Sequence, residues 1–233
     1  MKFLKMLLGL ALLPAAAAVT ATFADLLMSL PSEHGGIPMG LWWFAGGFVF
    51  WLVLWVVLPR PARSYVLAHE LTHALWGIAM GANVSKLRVR ADGGSVNLTK
   101  TNVWITLAPY FFPLYTMTVI LVHFVLQLFV PSVSEYEPFW LALVGLTWGF
   151  HVSFTLAVLM QRQPDVMEHG RIFSWTLIWL LNIAGLLVWI LAVTRGPWFH
   201  WLGELGGHIF AAYAAAFSWL LSLFSTIGAA KSK

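Results

Sequence analysis

The residues best suited to chemistry in this chain lie in the run AHELTHA at 68–74, which contains an H-E-x-x-H motif. On an α-helix, side chains four residues apart lie on one face, so His69 and His73 can direct two imidazole nitrogens at one metal ion. Glu70 lies between them, positioned to take a proton from a water molecule at that metal. The spacing therefore predicts a hydrolytic Zn²⁺ centre with His69 and His73 as ligands and Glu70 as the general base.

Chance is a poor source of this motif, because a chain of this length and composition should contain only about 0.007 accidental matches. The alternative interpretation is a pair of helix histidines held by hydrogen bonds in a polar pocket. Ionisable groups at membrane depth are costly and are usually functional, which favours the metal site.

The composition predicts a polytopic membrane protein. The chain is 60% hydrophobic and 9% charged, with a mean hydropathy of +0.82, whereas a soluble domain carries about 25% charged residues. It contains no cysteine, so any metal must be held by histidine and carboxylate rather than by thiolate. The net charge of +4 does not indicate nucleic-acid binding, because the basic residues mark one face of the membrane.

Long apolar runs predict the elements that position the motif. A helix near 64–81 carries it, and a β-hairpin at 86–99 follows, where polar and apolar residues alternate on both sides of Asp92-Gly93-Gly94. The first apolar run continues to Leu30, which favours an uncleaved span over a signal peptide. The expected fold class is an all-α polytopic membrane protein with one hairpin and about six transmembrane helices, near 5–30, 41–58, 103–130, 138–161, 172–194 and 207–228.

The positions of the basic residues predict the orientation. If the chain starts in the cytoplasm and six spans alternate, all 13 lysines and arginines except Arg195 lie on the cytoplasmic side, together with both termini. Arg60 and Arg63 precede the motif helix and three more basic residues follow it at 86–90. This favours a re-entrant helix entered from the cytoplasm, and a full span with an outer basic loop is the alternative.

Two prolines, Pro109 and Pro113, lie in the predicted third span and should kink it. The hairpin should leave one strand edge unpaired, and such an edge binds an extended peptide by strand addition. An equal alternative is a hairpin that only covers the cavity of the site.

A catalytic zinc ion typically takes a third protein ligand and leaves one position for water. Helix rise puts His151 at about the depth of the motif histidines, roughly 15 Å from the cytoplasmic surface, which favours His151. Asp165 requires the connection 161–170 to fold back along a non-helical path, for which Pro164 and Gly170 are suited. The candidates are later imidazoles and carboxylates: Asp165, Glu168, His169, His151 and His123.

The H-E-x-x-H helix, the hairpin after it, and a carboxylate two spans later followed by Gly170-Arg171 resemble the site-2 protease family of intramembrane zinc metalloproteases. The similarity covers 60–175, and it implies a metalloprotease-like core there within a single integral membrane domain over 1–233. Two N-terminal spans at 1–58 and the C-terminal spans at 176–233 flank that core.

The family's third ligand is an aspartate in a Leu-Asp-Gly-type motif of a later span. Here the segment MEHGR at 167–171 has this outline with Glu168 in place of aspartate, whereas Asp165 has the right residue in a changed context. We choose Asp165 as the third ligand, with His151 and Glu168 as the alternatives.

These observations predict a zinc-dependent endopeptidase that acts on membrane-anchored protein substrates in the lipid bilayer, without a nucleic-acid partner. Glu70 takes a proton from water and hands it to the leaving amine. The alternatives are a metal-binding membrane protein without proteolytic activity and a zinc hydrolase of a non-peptide substrate. Glu70 favours proteolysis over simple metal binding, because a binding site needs no base between its histidines.

Overall fold

The computed structural model describes residues 2–30 and 39–231, and this part of the chain is mostly helical. In chain order the elements are α1 (Lys2–Ser29), α2 (Met39–Val57), α3 (Ala62–Ala79), β1 (Val84–Val89), β2 (Gly94–Leu98), α4 (Val103–Phe111), α5 (Leu114–Phe129), a 3₁₀ helix at Pro131–Tyr136, α6 (Glu137–Leu159), α7 (Pro164–His169), α8 (Arg171–Val193) and α9 (Trp198–Lys231).

Five helices in the described ranges are long and apolar enough to cross a membrane, namely α1, α2, α6, α8 and α9. The bent pair formed by α4 and α5 brings the number to six if the pair is one span. Helix α3, which carries the H-E-x-x-H motif, is not one of these candidates. The architecture confirms the predicted helical class with one hairpin and is compatible with a polytopic integral membrane protein.

The predicted third span is broken at a proline, as expected. Helix α4 ends at Phe111, α5 begins at Leu114, and the two helices are bent by 76°. Phe112 has extended backbone angles, φ −106° and ψ 100°, in the region that a residue before proline favours. Pro113 therefore ends one helix and starts the next, which confirms the kink.

Two compact units are present, and the expectation of a single domain over 1–233 stays a prediction. The first unit comprises Met1–Leu30 with His169–Lys233, and the second comprises Pro31–Glu168. In the first unit, α1 packs against α8 and α9. The Tyr213 hydroxyl of α9 donates a hydrogen bond to the Ala11 carbonyl of α1 at 2.8 Å, which ties these two helices together.

In the second unit, α2 and α6 pack closely and form a support for α3. A Cβ atom at Gly145 would lie 1.9 Å from the Phe44 carbonyl oxygen, so only glycine permits this approach of the two backbones. An aromatic cluster of Trp51, Tyr65, Phe150 and Phe154 then joins α2, α3 and α6. This packing fixes the face of α3 from which the motif histidines project.

The predicted hairpin is present and begins two residues earlier than expected. The Arg90 N–H donates to the Gly93 carbonyl at 2.9 Å and closes the turn, where Gly93 has a φ of 153° that suits glycine. The register is irregular between Ser85 and Arg88, and the paired residues are Val84 with Leu98, Ser85 with Asn97, Arg88 with Ser95, and Val89 with Gly94.

The structure corrects two expectations about element type and length. The connection before Gly170 is not a non-helical path, because Pro164–His169 forms the short helix α7. Proline is well suited to a helix start, where its missing N–H has no partner to lose, and Asp165 in the first turn complements the helix dipole. The last predicted span, 207–228, is instead part of the longer helix Trp198–Lys231.

Candidate metal centre

Helix α3 places the two motif histidines side by side. His69 and His73 are one turn apart, and their Nε2 atoms lie 3.2 Å from each other. Their side chains are mostly buried, with 13% and 12% of the surface exposed. The helical spacing therefore brings two imidazole nitrogens close together, as expected from the sequence.

Each imidazole is oriented by a partner on its other nitrogen. The Nδ1 atom of His73 donates to the Ile105 carbonyl at 2.8 Å, because a carbonyl only accepts, and this bond turns Nε2 towards Asp165. The Nδ1 atom of His69 lies 3.3 Å from the Tyr65 hydroxyl, within hydrogen-bond distance. Tyr65 is itself held by stacking on Phe154 at 4.7 Å. Metal-binding histidines are typically oriented by such partners.

Helix α7 carries Asp165 to the same point. Its Oδ2 atom lies 3.4 Å from the Nε2 atom of His69 and 3.5 Å from that of His73. The Tyr110 hydroxyl donates to this oxygen at 3.0 Å, and Tyr110 is fully buried. The connection after α6 thus folds back to the motif helix, as the choice of Asp165 requires.

The three atoms have the separations of ligands around a tetrahedral zinc ion. Their distances are 3.2, 3.4 and 3.5 Å. Zinc bonds of about 2.05 Å at tetrahedral angles set neighbouring ligand atoms about 3.3 Å apart. Two imidazoles and one carboxylate form a usual ligand set for catalytic zinc, so these residues fit the metal.

Burial and the neighbouring charges shift the pKa values of Asp165 and Glu70 in opposite directions. Burial alone would raise the pKa of Asp165, but the hydrogen bonds with His69 and His73 hold it well below its usual range. For Glu70, burial raises the pKa and outweighs the lowering effect of the two histidines. The site therefore combines a carboxylate that stays ionised with one that holds a proton more readily.

Glu70 lies under the tip of the hairpin. It is only 7% exposed, and a Cβ atom on Gly94 would lie 2.6 Å from its Cγ atom and 2.8 Å from its Oε1 atom. The hairpin backbone therefore passes directly over the Glu70 side chain. For this reason, a residue larger than glycine at position 94 does not fit without movement.

A cavity of about 800 Å³ opens beside these groups. It is large enough for a peptide segment. One wall is the motif face of α3, a second is the hairpin from Ala91 to Val96 with Leu98, and a third runs from Phe154 to Glu168; the candidate ligands and the candidate base that line it are His69, Glu70, His73 and Asp165.

The other candidate ligands lie elsewhere. Among the residues that the structure describes, His69, His73 and Asp165 are the one group of three potential ligands, with donor atoms within 4.8 Å of one another. His151 is buried on α6 and lines, with His69, a separate cavity of about 10 Å³. Glu168 lines the large cavity without joining the group.

Two further histidines have other neighbours. His123 stacks on Trp140 with ring centroids 4.9 Å apart. His169 contacts Lys5 within the first unit. Neither joins the group of potential metal ligands in the described part of the chain.

Sequence reasoning missed three residues that support the site. Tyr65 lies four residues before His69, so the spacing could have predicted that the two side chains share one helix face. Tyr110 has no comparable local signal, because it is 55 residues from the aspartate it contacts. Gly94 was interpreted as a turn residue, and its close approach to Glu70 depends on how the hairpin packs on α3.

Comparison with family models, with curated proteins and with solved structures found no match to this chain.

Proposed function

We propose that this protein is a zinc-dependent endopeptidase that hydrolyses membrane-anchored protein substrates, as its resemblance to the site-2 protease family implies. One observation carries the proposal. The Nε2 atoms of His69 and His73 and the Oδ2 atom of Asp165 converge at the separations of zinc ligands, on a cavity that Glu70 also lines.

His69, His73 and Asp165 would hold the zinc ion, which would supply a water molecule of lowered pKa and polarisation of the peptide carbonyl. Glu70 accepts a proton from the attacking water as its oxygen bonds to the carbonyl carbon. Glu70 then passes this proton to the amine as the carbon–nitrogen bond breaks. Because burial raises the pKa of Glu70, its carboxyl group suits a role in which it carries the proton between these two steps.

The supporting residues keep the ligands in place during this reaction. The Ile105 carbonyl and the Tyr65 hydroxyl fix the rings of His73 and His69, and the Tyr110 hydroxyl orients Asp165. Fixed ligands reduce the reorganisation needed to reach the transition state.

We propose that the substrate binds as an extended strand along β2. The cavity lining includes Gly94, Ser95, Val96 and Leu98 of this strand. Backbone bonds join Arg90 to Gly93 and Thr99 to Asn83, so the alternation of an antiparallel pair turns the backbone groups of 94, 96 and 98 away from β1. These groups are available to a third strand, which would pass close to Glu70.

In the membrane, we propose that α4 and α5 form one bent span, which gives six spans with both termini in the cytoplasm. Helix α3 and the hairpin then enter from the cytoplasmic side as a re-entrant element. The basic residues before α3 and within the hairpin support this arrangement. It gives water a route to the site from the cytoplasm.

The test uses the full-length protein in liposomes with a single-span protein substrate. We expect removal of zinc by a chelator to reduce cleavage by more than about 100-fold, and added zinc but not magnesium to restore it. Mass spectrometry of the products identifies the peptide bond that is cut. Cleavage that is unaffected by chelation would contradict the proposal.

The ligand assignment is tested by zinc content. Asp165→Asn should lose zinc, whereas Glu168→Gln, which alters a carboxylate of the same cavity and the same short helix, should retain it. If wild-type protein retains zinc but cuts no protein substrate, the non-proteolytic alternatives gain support instead.

A further inference from the structure

The exposed side of the hairpin carries a concentrated positive charge. We define the outer hairpin face as Lys86, Arg88 and Arg90, which lie on or next to β1, together with Asn97 of β2. All four side chains are exposed. The only acidic residue between 84 and 100 is Asp92, at the turn. The charge of this face is therefore largely uncompensated along the chain.

The register explains why the basic residues point away from the protein. Val84, Val89, Val96 and Leu98 are half-buried, and both strands pack on α3. Arg88 precedes the half-buried Val89, so the alternation of a strand turns it to the opposite face. The irregularity between Ser85 and Arg88 includes Lys86, which has a φ of 52° and is exposed.

These charges have no acidic partner in the described structure. The ion pairs found there join His69 and His73 to Asp165 and His208 to Asp25, and none includes a lysine or arginine of the hairpin. The basic side chains of the outer hairpin face are available to an anionic partner.

Exposed apolar residues are also present in the hairpin and in the helices that precede and follow it in the chain. Leu87 lies between Lys86 and Arg88 and is 42% exposed, and Trp104, at the start of α4, is 44% exposed. Ile78, near the end of α3, is 61% exposed. Basic, aromatic and aliphatic side chains in this combination are typical of segments at the membrane–water interface.

We propose that the outer hairpin face binds the headgroups of anionic phospholipids in the bilayer around the apolar helices. The complementary charge supports this partner, and the exposed Leu87 and Trp104 suit the boundary between headgroups and acyl chains. Each basic side chain near an anionic membrane surface contributes about a five-fold gain in binding. The inference concerns the hairpin surface and does not depend on zinc or on peptide hydrolysis.

The absence of cysteine allows a direct test in the full-length protein. Asn97→Cys introduces a single thiol on the outer hairpin face, which is labelled with a fluorophore in phosphatidylcholine nanodiscs that contain phosphatidylglycerol. A headgroup quencher is carried either by phosphatidylglycerol or by phosphatidylcholine. We expect several-fold stronger quenching by the anionic lipid, and loss of the difference at high salt.

Charge variants then separate the hairpin from the total charge of the protein. Arg88→Gln with Arg90→Gln should bring the two quenching values close to equality. The control, Arg63→Gln with Arg162→Gln, removes the same charge from two exposed arginines outside the hairpin and should keep the preference. Equal quenching by both lipids in wild-type protein would overturn the proposal. So would a preference that survives the hairpin substitutions, or a label that neither lipid quenches, as expected if an acidic protein partner covers this face.

Discussion

Each of the two units of this protein pairs a histidine with an aspartate, and the two pairs are built differently. In the first unit, the Nε2 atom of His208 on α9 lies 3.2 Å from Asp25 Oδ2 on α1, and its Nδ1 atom lies 2.9 Å from Thr22 Oγ1. Both ring nitrogens of His208 are thus used to join α9 to α1. In the second unit, Asp165 faces two imidazoles whose Nε2 atoms point to one place.

The difference shows what turns a histidine–aspartate pair into a candidate metal site. The Nδ1 atom of His73 is held by the Ile105 carbonyl and that of His69 lies beside the Tyr65 hydroxyl, so both Nε2 atoms converge with Asp165 at the cavity. His208 has no second imidazole beside it in the H-E-x-x-H spacing, and its two nitrogens contact Thr22 and Asp25 on either side of the ring instead of converging with other potential ligands. We therefore expect metal binding at the second-unit site and a helix contact at the first-unit pair.

The largest expected contrast is between the two histidine positions. His73→Ala removes a proposed ligand and should weaken zinc binding by more than about 100-fold, since loss of even an outer partner costs about 10- to 100-fold. His208→Ala should leave zinc affinity unchanged. Competition with a chelating dye in detergent solution measures both. Equal zinc loss in the two variants would contradict the expectation that only the second-unit site binds metal.

Gly94→Ala tests the approach of the hairpin to the candidate base. The added methyl group meets the Glu70 side chain, and a displacement of about 1 Å at a reacting group costs about 100-fold in rate. We expect a loss of this size in cleavage with zinc content retained. Gly46→Ala is the control, because the added Cβ would meet no described atom within 4 Å apart from its chain neighbours and the nearby backbone of its own helix. Undiminished cleavage by Gly94→Ala would show that the Glu70 position is not critical.

Tyr110→Phe tests the support of Asp165. It removes the hydroxyl that donates to Oδ2 and should weaken zinc binding by about 10- to 100-fold. Tyr213→Phe removes a comparable hydroxyl, which donates to a carbonyl in the first unit, and should not change zinc affinity. Titration of both metal-free proteins with zinc checks this, and identical affinities would argue against an orienting role for Tyr110.

The smallest effect is expected for Asp25→Asn. This change weakens one contact between α1 and α9, and interhelical polar contacts in membranes contribute about 0.6 kcal/mol on average. Unfolding in mixed detergent should show a decrease of this order in the free energy of unfolding, with zinc content unchanged. A loss of zinc in this variant would mean that the first-unit pair has more than a role in helix packing.

Local patterns made much of the fold predictable from the sequence, together with the pairing of His69 and His73 in the candidate site. The spacing of His69 and His73 acts through one helical turn, and the break at Pro113 follows from the chemistry of proline. Alternation around Asp92-Gly93-Gly94 correctly indicated the hairpin. In each case the residues that interact are close in sequence, so their spacing determines how they are arranged in space.

Contacts between distant segments were harder to predict. The depth estimate favoured His151, but depth along a helix axis does not fix the direction of a side chain, and His151 lines a separate small cavity. The position of Asp165 depends on the short helix α7, and the sequence predicted a non-helical path for this segment. Tyr110 could not be foreseen, because its contact with Asp165 exists only once α4 and α7 are packed.

The most direct test of the central proposal is the cleavage rate of Glu70→Gln, with zinc content measured on the same preparation. Glutamine keeps the shape of the side chain but cannot accept the proton of water. The proposed mechanism predicts full zinc content and a loss of cleavage of about 100-fold or more against a single-span protein substrate. A variant that keeps its zinc and cleaves at the wild-type rate would contradict the assignment of Glu70 as the base.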